Sequence, residues 1–375
     1  MSGVLFYVQH LLGVGHVKRA ASIARALVGA RVPVTVVLGG ERVSHTDFGG
    51  ADVRYLASAR AEDESFKILL DQDNQPIDDA WRDARRRQLL KIAEEIRPDI
   101  LFIELFPFGR RQFRFELIPL LEAHKGRSKI VCSARDVIVG KPSAKRNDEI
   151  VDTLLSYFDS VLVHGVEAVI PLASTFPDSH RIADLLQYTG YVVEQAVATT
   201  ASDVGVDEVV VSVGGGAVGE DLLRAVVAAR PYSVHQNRHW RLIAGESLPA
   251  GAYQDIEACC GTGISLERAR SDFIYVLRNC ALSISLGGYN TVMDVMAAGC
   301  ANLVVPFSGG VETEQLFRAR AFAARGWIHM FDGELENHEE FAKAIDEAMA
   351  QGKSVRTPLD MGGAEKTAQL ISEML

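Results

Sequence analysis

Apolar positions along this chain recur in short runs, separated by stretches whose apolar residues are spaced for a helix. Residues 3–9 (Gly-Val-Leu-Phe-Tyr-Val-Gln) are the first such run and predict a buried strand. Val17, Ala20, Ala21, Ala24 and Leu27 then follow helical spacing, and residues 32–38 return to a strand pattern, so the chain opens β-α-β. A weak strand at 53–56 lies within a polar, loop-rich section at 41–78. Residues 78–97 predict a helix with Trp81, Ala84, Leu89, Ile92, Ala93 and Ile96 on one side. Its Arg82, Arg85, Arg86, Arg87 and Lys91 are expected on a solvated face. Pro98 ends that helix, and strands are predicted at 99–103, 129–132 and 160–164, with helices at 115–123 and 145–158.

The pattern restarts after a small-residue, polar stretch. Strands are predicted at 208–213, 240–244, 256–258, 281–286 and 302–306. Helices are predicted at 220–229, from Phe273, at 292–298, 316–326 and 337–350, and over 363–375. Helix-length sequence between successive strands predicts parallel sheets. The chain therefore divides into a first α/β domain at 1–190, a linker at 191–207, a second α/β domain at 208–360, and a final helix in 361–375.

Composition narrows the function. At 375 residues the chain can bury two cores, and 48% hydrophobic with 23% charged residues is ordinary for an α/β protein. No apolar run reaches membrane-spanning length and the first strand begins at once, so a cytoplasmic protein is expected. A formal charge of −10 argues against binding nucleic acid. Five cysteines without metal-like spacing read as buried thiols.

The chemistry concentrates at residues 281–299. A strand runs into Gly287-Gly288, Asn290 and Thr291 stand where a helix begins, and Gly299 stops it. Glycine lets backbone N–H groups approach an anion, and the helix start adds its positive dipole end, which together cradle a diphosphate. Asp294, one turn on, is placed for a ribose diol; Glu314 and Gln315 open a later helix and could hold further hydroxyls. Gly214 and Gly215, in a three-glycine turn after a strand, offer N–H groups to a phosphate or to the neighbouring domain.

In the first half, Gly13-Val-Gly15-His16 follows the first strand. It is not a full G-x-G-x-x-G, since Arg19 and Ala20 occupy the later positions, which argues against a nicotinamide or flavin site. His16 at a helix start is kept neutral by the dipole and can take a proton; Glu104 stands at a strand end, where parallel sheets collect catalytic groups. The other strand ends, Ser133-Ala-Arg135-Asp136 and His164-Gly165, face the same side. Residues 106–115 carry four phenylalanines and three arginines. They read either as a loop packed under the next helix, or as an acceptor platform. In the second case Phe106 and Phe108 would give apolar contact to a membrane or a lipid-linked acceptor, while Arg110, Arg111 or Arg114 would meet an anionic group on the acceptor or a lipid surface. No Asp-x-Asp stands at a strand end, and Asp71-Gln-Asp73 reads as a solvated turn, so no metal site and no cofactor are expected.

Gly288, Asn290, Thr291, Asp294, Glu314 and Gln315 in this order resemble the nucleotide-sugar signature of GT-B glycosyltransferases, of the MurG group and the UDP-glycosyltransferases. Gly13-Val-Gly15-His16 is similar to the Gly-x-Gly-His loop of the MurG-like enzymes. Asp294 departs from the usual Glu, and Leu286 from a phosphate-binding His. The likeness covers nearly the whole chain and is nearest to a bacterial group of predicted glycosyltransferases. It implies two Rossmann-like doubly wound domains facing across a cleft, with the last helix returning to the first domain. The implied activity is inverting, metal-independent sugar transfer from a nucleotide sugar, expected to be a UDP-sugar, to a hydroxyl acceptor, with His16 as base and Glu104 as the candidate for the acid that orients it. A nucleotide-sugar hydrolase or epimerase on the same fold, and a nucleotide-sugar-binding protein without turnover, are the alternatives. Residues 106–115 would be dispensable to a hydrolase.

Overall fold

The computed structural model describes residues 3–11, 13–43, 46–62, 67–138, 143–194, 203–215, 218–246, 248–270, 272–307, 313–352 and 359–375. Residues 195–202 of the expected linker lie outside these. The chain forms two units, one of Met1–Val192 with Leu359–Leu375 and one of Val193–Pro358.

In the first unit β1 (Val4–Val8) leads to α1 (Gly15–Gly29), β2 (Val34–Leu38) and β3 (Asp52–Tyr55). A short antiparallel hairpin follows, β4 (Arg60–Ala61) and β5 (Leu69–Leu70). Then come α2 (Asp79–Ile96), β6 (Ile100–Glu104), α3 (Arg114–His124), β7 (Lys129–Arg135), α4 (Ala144–Tyr157), β8 (Ser160–His164) and β9 (Leu186–Tyr188). Seven parallel strands run in the order β3-β2-β1-β6-β7-β8-β9. Helices cover both faces, so β1, β6 and β8 are buried throughout and read as short apolar runs. Strand order reverses between β1 and β6, and the carboxyl ends of strands at such a reversal are where open α/β sheets bind ligands.

Asp78 starts α2 by accepting a hydrogen bond from the Trp81 N–H at 2.7 Å, and Arg97 ends it in the left-handed region, just before Pro98. The inward stripe of α2 is Arg85, Leu89, Ile92 and Ala93; Ala84 faces out. This corrects the expectation that Arg85 is solvated. Its spacing of four residues from Leu89 turns it inward, where it donates to both oxygens of buried Glu116, at 2.8 and 3.0 Å. It also donates to the Gly39 carbonyl at 2.7 Å and to Gln9, while Tyr7 Oη donates to Glu116 at 2.6 Å.

The second unit contains β10 (Val209–Ser212), α5 (Glu220–Ala229), β11 (Trp240–Ala244), α6 (Ala250–Cys259), β12 (Ile264–Arg268) and α7 (Phe273–Asn279). It continues with β13 (Leu282–Leu286), α8 (Tyr289–Ala298), β14 (Asn302–Val305), α9 (Glu314–Ala323), β15 (His329–Met330) and α10 (His338–Gln351). Six parallel strands run β12-β11-β10-β13-β14-β15, reversing between β10 and β13. The strand expected at 256–258 is instead part of α6, in which only Ile256 is buried. The edge strand is β12, where Ile264 and Leu266 alternate with Ser265 and Glu267.

The final helix, α11 (Gly363–Met374), belongs to the first unit and packs on α1. Its Ala364, Ala368 and Ile371 share a core with Val17, Ala20, Ala24 and Leu27. Small residues on both helices allow this close approach. Gly363 must be glycine, because a Cβ there would lie 2.5 Å from the Gly190 carbonyl oxygen. Among the described residues no helix is long and apolar enough to cross a membrane.

Candidate active site

Strand parity assembles the site in the first unit. On the sheet face covered by α1 and α11, β1 presents Val4, Phe6 and Val8, β6 presents Ile100 and Phe102, β7 presents Val131 and β8 presents Leu162. Two residues further along, the same face carries Glu104 on β6, Ser133 and Arg135 on β7, and His164 on β8. The carboxyl end of the sheet is thus polar beneath the first turns of α1.

Gly13 leads into α1, of which Gly15 is the first residue, and His16 lies in its first turn. His16 Nδ1 is 2.7 Å from Glu104 Oε1, and Arg19, three residues on, bonds the same oxygen. Glu104 and Arg19 are almost fully buried, whereas the His16 side chain is 16% exposed, so one edge of the ring meets solvent. Burial lowers the His16 pKa and outweighs the opposing pull of Glu104; Arg110 and Arg135 lower it further. Burial by itself would raise Glu104, but His16, Arg19 and Arg110 outweigh it and hold the carboxylate well below its usual range. At neutral pH the pair is therefore a neutral imidazole on a carboxylate. Nδ1–H donates to Glu104, which leaves the Nε2 lone pair to accept a proton. Arg19 Nη2 also lies 3.2 Å from His16 Nδ1. Since arginine can only donate, that approach is a contact made as both groups meet Glu104.

Two further histidines surround the pair. His164 is engaged at both nitrogens, with Ser133 Oγ at 2.8 Å and Thr189 Oγ1 at 3.0 Å, and burial, then Arg19, push it down to about 3. His10 is pushed down to about 4 by burial and by Arg110. Both are neutral at pH 7.

The phenylalanines of the 106–115 segment follow the first of its two readings, a loop packed under the next helix. Phe106 and Phe108 are each 1% exposed and belong to the hydrophobic core, with Phe108 edge-on to Phe176 at 5.3 Å. They cannot contact a lipid surface, because the core already covers them. Arg111 is 61% exposed and pairs with Glu149 at 3.2 Å, while Arg110 turns inward to within 3.9 Å of Glu104 Oε2. Asp71 Oδ1 accepts the Asp73 and Gln75 N–H groups, each at 2.9 Å, and so forms a turn.

In the second unit the loops after β10 and β13 meet at the sheet reversal. Gly288 is the N-cap of α8, and among the described residues no side chain caps that helix. Gly214, at φ +74°, lies beside Thr291: a Cβ on it would sit 3.4 Å from Thr291 Oγ1. Gly215 continues this turn, and Gly216 and Ala217 lie outside the described residues. Asn290 and Asp294 are one helical turn apart on α8. Gln315 packs against Gly287 and accepts the Phe307 N–H at 3.2 Å. Glu314 differs from expectation. It is buried and accepts from Arg318 at 2.7 Å, with that guanidinium over the Tyr289 ring, so its carboxylate is turned into the unit rather than offered to a ligand.

Sequence reasoning thus named one group of neighbours in each unit, with Arg135 at a strand end on the same side and Arg110 in the 106–115 segment, and it missed Arg19. The signal for Arg19 was available, since it stands three residues from His16 on one helix.

Residues 210–374 match the family described as the glycosyltransferase family 28 C-terminal domain. No curated protein matches the sequence. Among solved structures the fold is similar to MurG of Acinetobacter baumannii, at 13% identity and a TM-score of 0.59, covering 99% of each chain. It is also similar to the spinosyn rhamnosyltransferase SpnG complexed with thymidine diphosphate, at 18% identity and TM-score 0.60, covering 100% of this chain and 96% of that one. TcCGT1 in complex with UDP has a TM-score of 0.62 at 11% identity, covering 100% and 99%. The chain therefore has the GT-B fold of these glycosyltransferases, and its residues 210–374 match the family 28 C-terminal domain.

Proposed function

We propose that the chain transfers a sugar, with inversion and without a metal ion, from a pyrimidine nucleoside-diphosphate sugar to a hydroxyl acceptor. The donor is assigned to the second unit and acceptor activation to the first. The observation that carries this reading is the 2.7 Å contact between His16 Nδ1 and Glu104, which orients a neutral imidazole with Nε2 toward the exposed edge. In the reaction the acceptor oxygen forms a bond to the anomeric carbon as its proton passes to Nε2. The bond from that carbon to the diphosphate oxygen breaks, and its electron pair leaves with the nucleotide. A single displacement inverts the centre.

The leaving charge is met by the start of α8 and by the Gly287-Gly288 and Gly214-Gly215 turns, which is why no divalent ion is required. Thr291 and Gln315 border these glycines, and Asp294 supplies the carboxylate for a ribose diol. One similar structure holds UDP and another thymidine diphosphate, which supports a pyrimidine.

Titration with UDP, thymidine diphosphate and GDP, read as thermal stabilisation, tests the donor half. Ligand at roughly 100 times its Kd stabilises by about 2.7 kcal/mol. The reading expects this for a pyrimidine nucleotide, unchanged by a chelator and lost in Asp294→Ala. No stabilisation by any nucleotide, or stabilisation that requires a divalent ion, would overturn it.

A further inference from the structure

Two arginines, Arg19 and Arg110, reach toward the single carboxylate of Glu104. Glu104 Oε1 is taken by His16 and Arg19. Glu104 Oε2 is buried and has no hydrogen-bond partner among the described residues. Arg110 is nine-tenths buried, with its side chain 10% exposed, yet its guanidinium makes no hydrogen bond among the described residues. Its nearest acidic oxygen is Glu104 Oε2 at 3.9 Å, beyond hydrogen-bond reach. Arg135 ends the neighbouring strand on the same face. A buried polar atom without a hydrogen-bond partner is costly, and in a native fold Arg110 Nε and Glu104 Oε2 call for an occupant.

The backbone holds Arg110 in this position. Leu105 and Arg110 both adopt left-handed φ, at +63° and +59°, and the Gly109 N–H donates to the Leu105 carbonyl at 2.7 Å. This tight turn folds the segment back over the strand end. Left-handed backbone at two non-glycine residues is strained, and such strain collects at ligand sites. Arg111, the next residue, has the same charge but lies outside, paired with Glu149. Arg110 also has a lowered pKa, from burial and from Arg135 and Arg19 against Glu104, as expected of a cation short of counter-charge.

We propose that the acceptor is itself an anion, a hydroxyl compound whose phosphate or carboxylate is gripped by the Arg110 guanidinium beside Glu104. The planar fork of arginine matches either oxyanion in a bidentate pair. Glu104 Oε2 remains as an acceptor for a hydroxyl of the same molecule. This assignment rests on the reading of His16 as the base and adds the substrate class to it.

The test has two arms. In the first, inorganic phosphate and acetate are titrated at constant ionic strength into wild type, Arg110→Gln, Arg110→Lys and Arg111→Gln, with thermal stabilisation as the readout. The expectation is that at least one oxyanion stabilises wild type and Arg111→Gln, that Arg110→Lys keeps part of the effect, and that Arg110→Gln loses it. Equal response in wild type and Arg110→Gln, or none in wild type, overturns the proposal. Comparing phosphate with acetate separates the two oxyanions. In the second arm, nucleotide release from the donor is followed with glycerol, glycerate and glycerol phosphate as acceptor probes. The charged acceptors should be preferred, and Arg110→Gln should reduce that preference by about 10- to 100-fold. Indifference to acceptor charge in wild type overturns the proposal. UDP titration of the same variants keeps the two readings apart. If UDP stabilises all of them while the oxyanions discriminate none, the anionic acceptor fails and sugar transfer stands; the oxyanion arm decides the present inference whatever UDP does.

Discussion

The first unit buries two arginine–glutamate clusters, and they differ in how completely they are closed. Arg85 is met by both oxygens of Glu116, by backbone carbonyls and by Gln9, and Tyr7 completes the set. Burial alone would lower the Arg85 pKa, but Glu116 and Tyr7 outweigh it and the guanidinium is pushed up. At Glu104 the balance is reversed. Arg19 and His16 share one oxygen, Arg110 stands off at 3.9 Å, and burial with the other arginines pushes Arg110 down. A saturated buried network fixes α2 to α3 and does nothing else. An unsaturated one, with a histidine edge open to solvent, holds charge and hydrogen-bonding capacity in reserve for a substrate.

The sharpest way to separate the clusters is to damage each and read both stability and turnover. His16→Ala should lower kcat by about 10²–10⁴-fold, roughly 3–5 kcal/mol of transition-state stabilisation, with nucleotide affinity unchanged. Release of nucleotide from the donor sugar, alongside a UDP titration, checks this. Glu116→Ala should act on the other quantity. It strands the Arg85 charge in the core and should cost about 3–5 kcal/mol in urea unfolding, while kcat of the folded fraction is retained.

Acid should weaken the open cluster more than the closed one. His10 and His164 have folded-state pKa values of about 4 and about 3, and His16 is lowered in the same direction, all below the unfolded value of 6.5. Between these limits the unfolded chain binds more protons, so stability is full above pH 6.5 and falls as pH drops toward 4. Unfolding at pH 7 and 5.5 should show a loss of about 1 kcal/mol per histidine, near 3 kcal/mol together, and His16→Ala should remove about a third of it. The neutral imidazole should also keep transfer active below pH 6.5, where an ordinary histidine base would be protonated. The smallest effect is expected at Arg111. Its exposed pair with Glu149 is worth about 0–1 kcal/mol, so Arg111→Gln should leave the urea midpoint nearly unmoved.

The α/β class was legible because both sheets are parallel and covered on two faces, which writes strands as short apolar runs such as Val4–Val8 and the Val-Leu-Val at 161–163. Legibility declined at the edges. β9 has three half-buried residues, and β12 alternates apolar with polar, so neither stands out as a run. At the site, a strand followed by Gly287-Gly288 and a helix start is a local pattern and can be read from sequence alone. The contact of His16 with Glu104 joins residues 88 positions apart; the rule that ligands gather at carboxyl ends of parallel strands pointed to Glu104, and the glycosyltransferase resemblance suggested the pairing. Buried arginines were not legible. Arg85 sits among four other cations and Arg110 beside Arg111, and composition cannot tell which member of such a group turns inward. The phenylalanines of 106–115 allowed two readings for the related reason that an aromatic in a loop looks the same whether it is covered or exposed.

The account rests on the open cluster being where the acceptor loses its proton. The most direct measurement is nucleotide release from a donor sugar by wild type and Glu104→Gln across pH 5–9, with UDP affinity measured in parallel. Glu104→Gln keeps the shape but no longer fixes Nδ1–H toward a carboxylate. Its kcat should fall by at least about 10²-fold at unchanged UDP affinity. Equal turnover in the two proteins at every pH would contradict the assignment of His16 and Glu104.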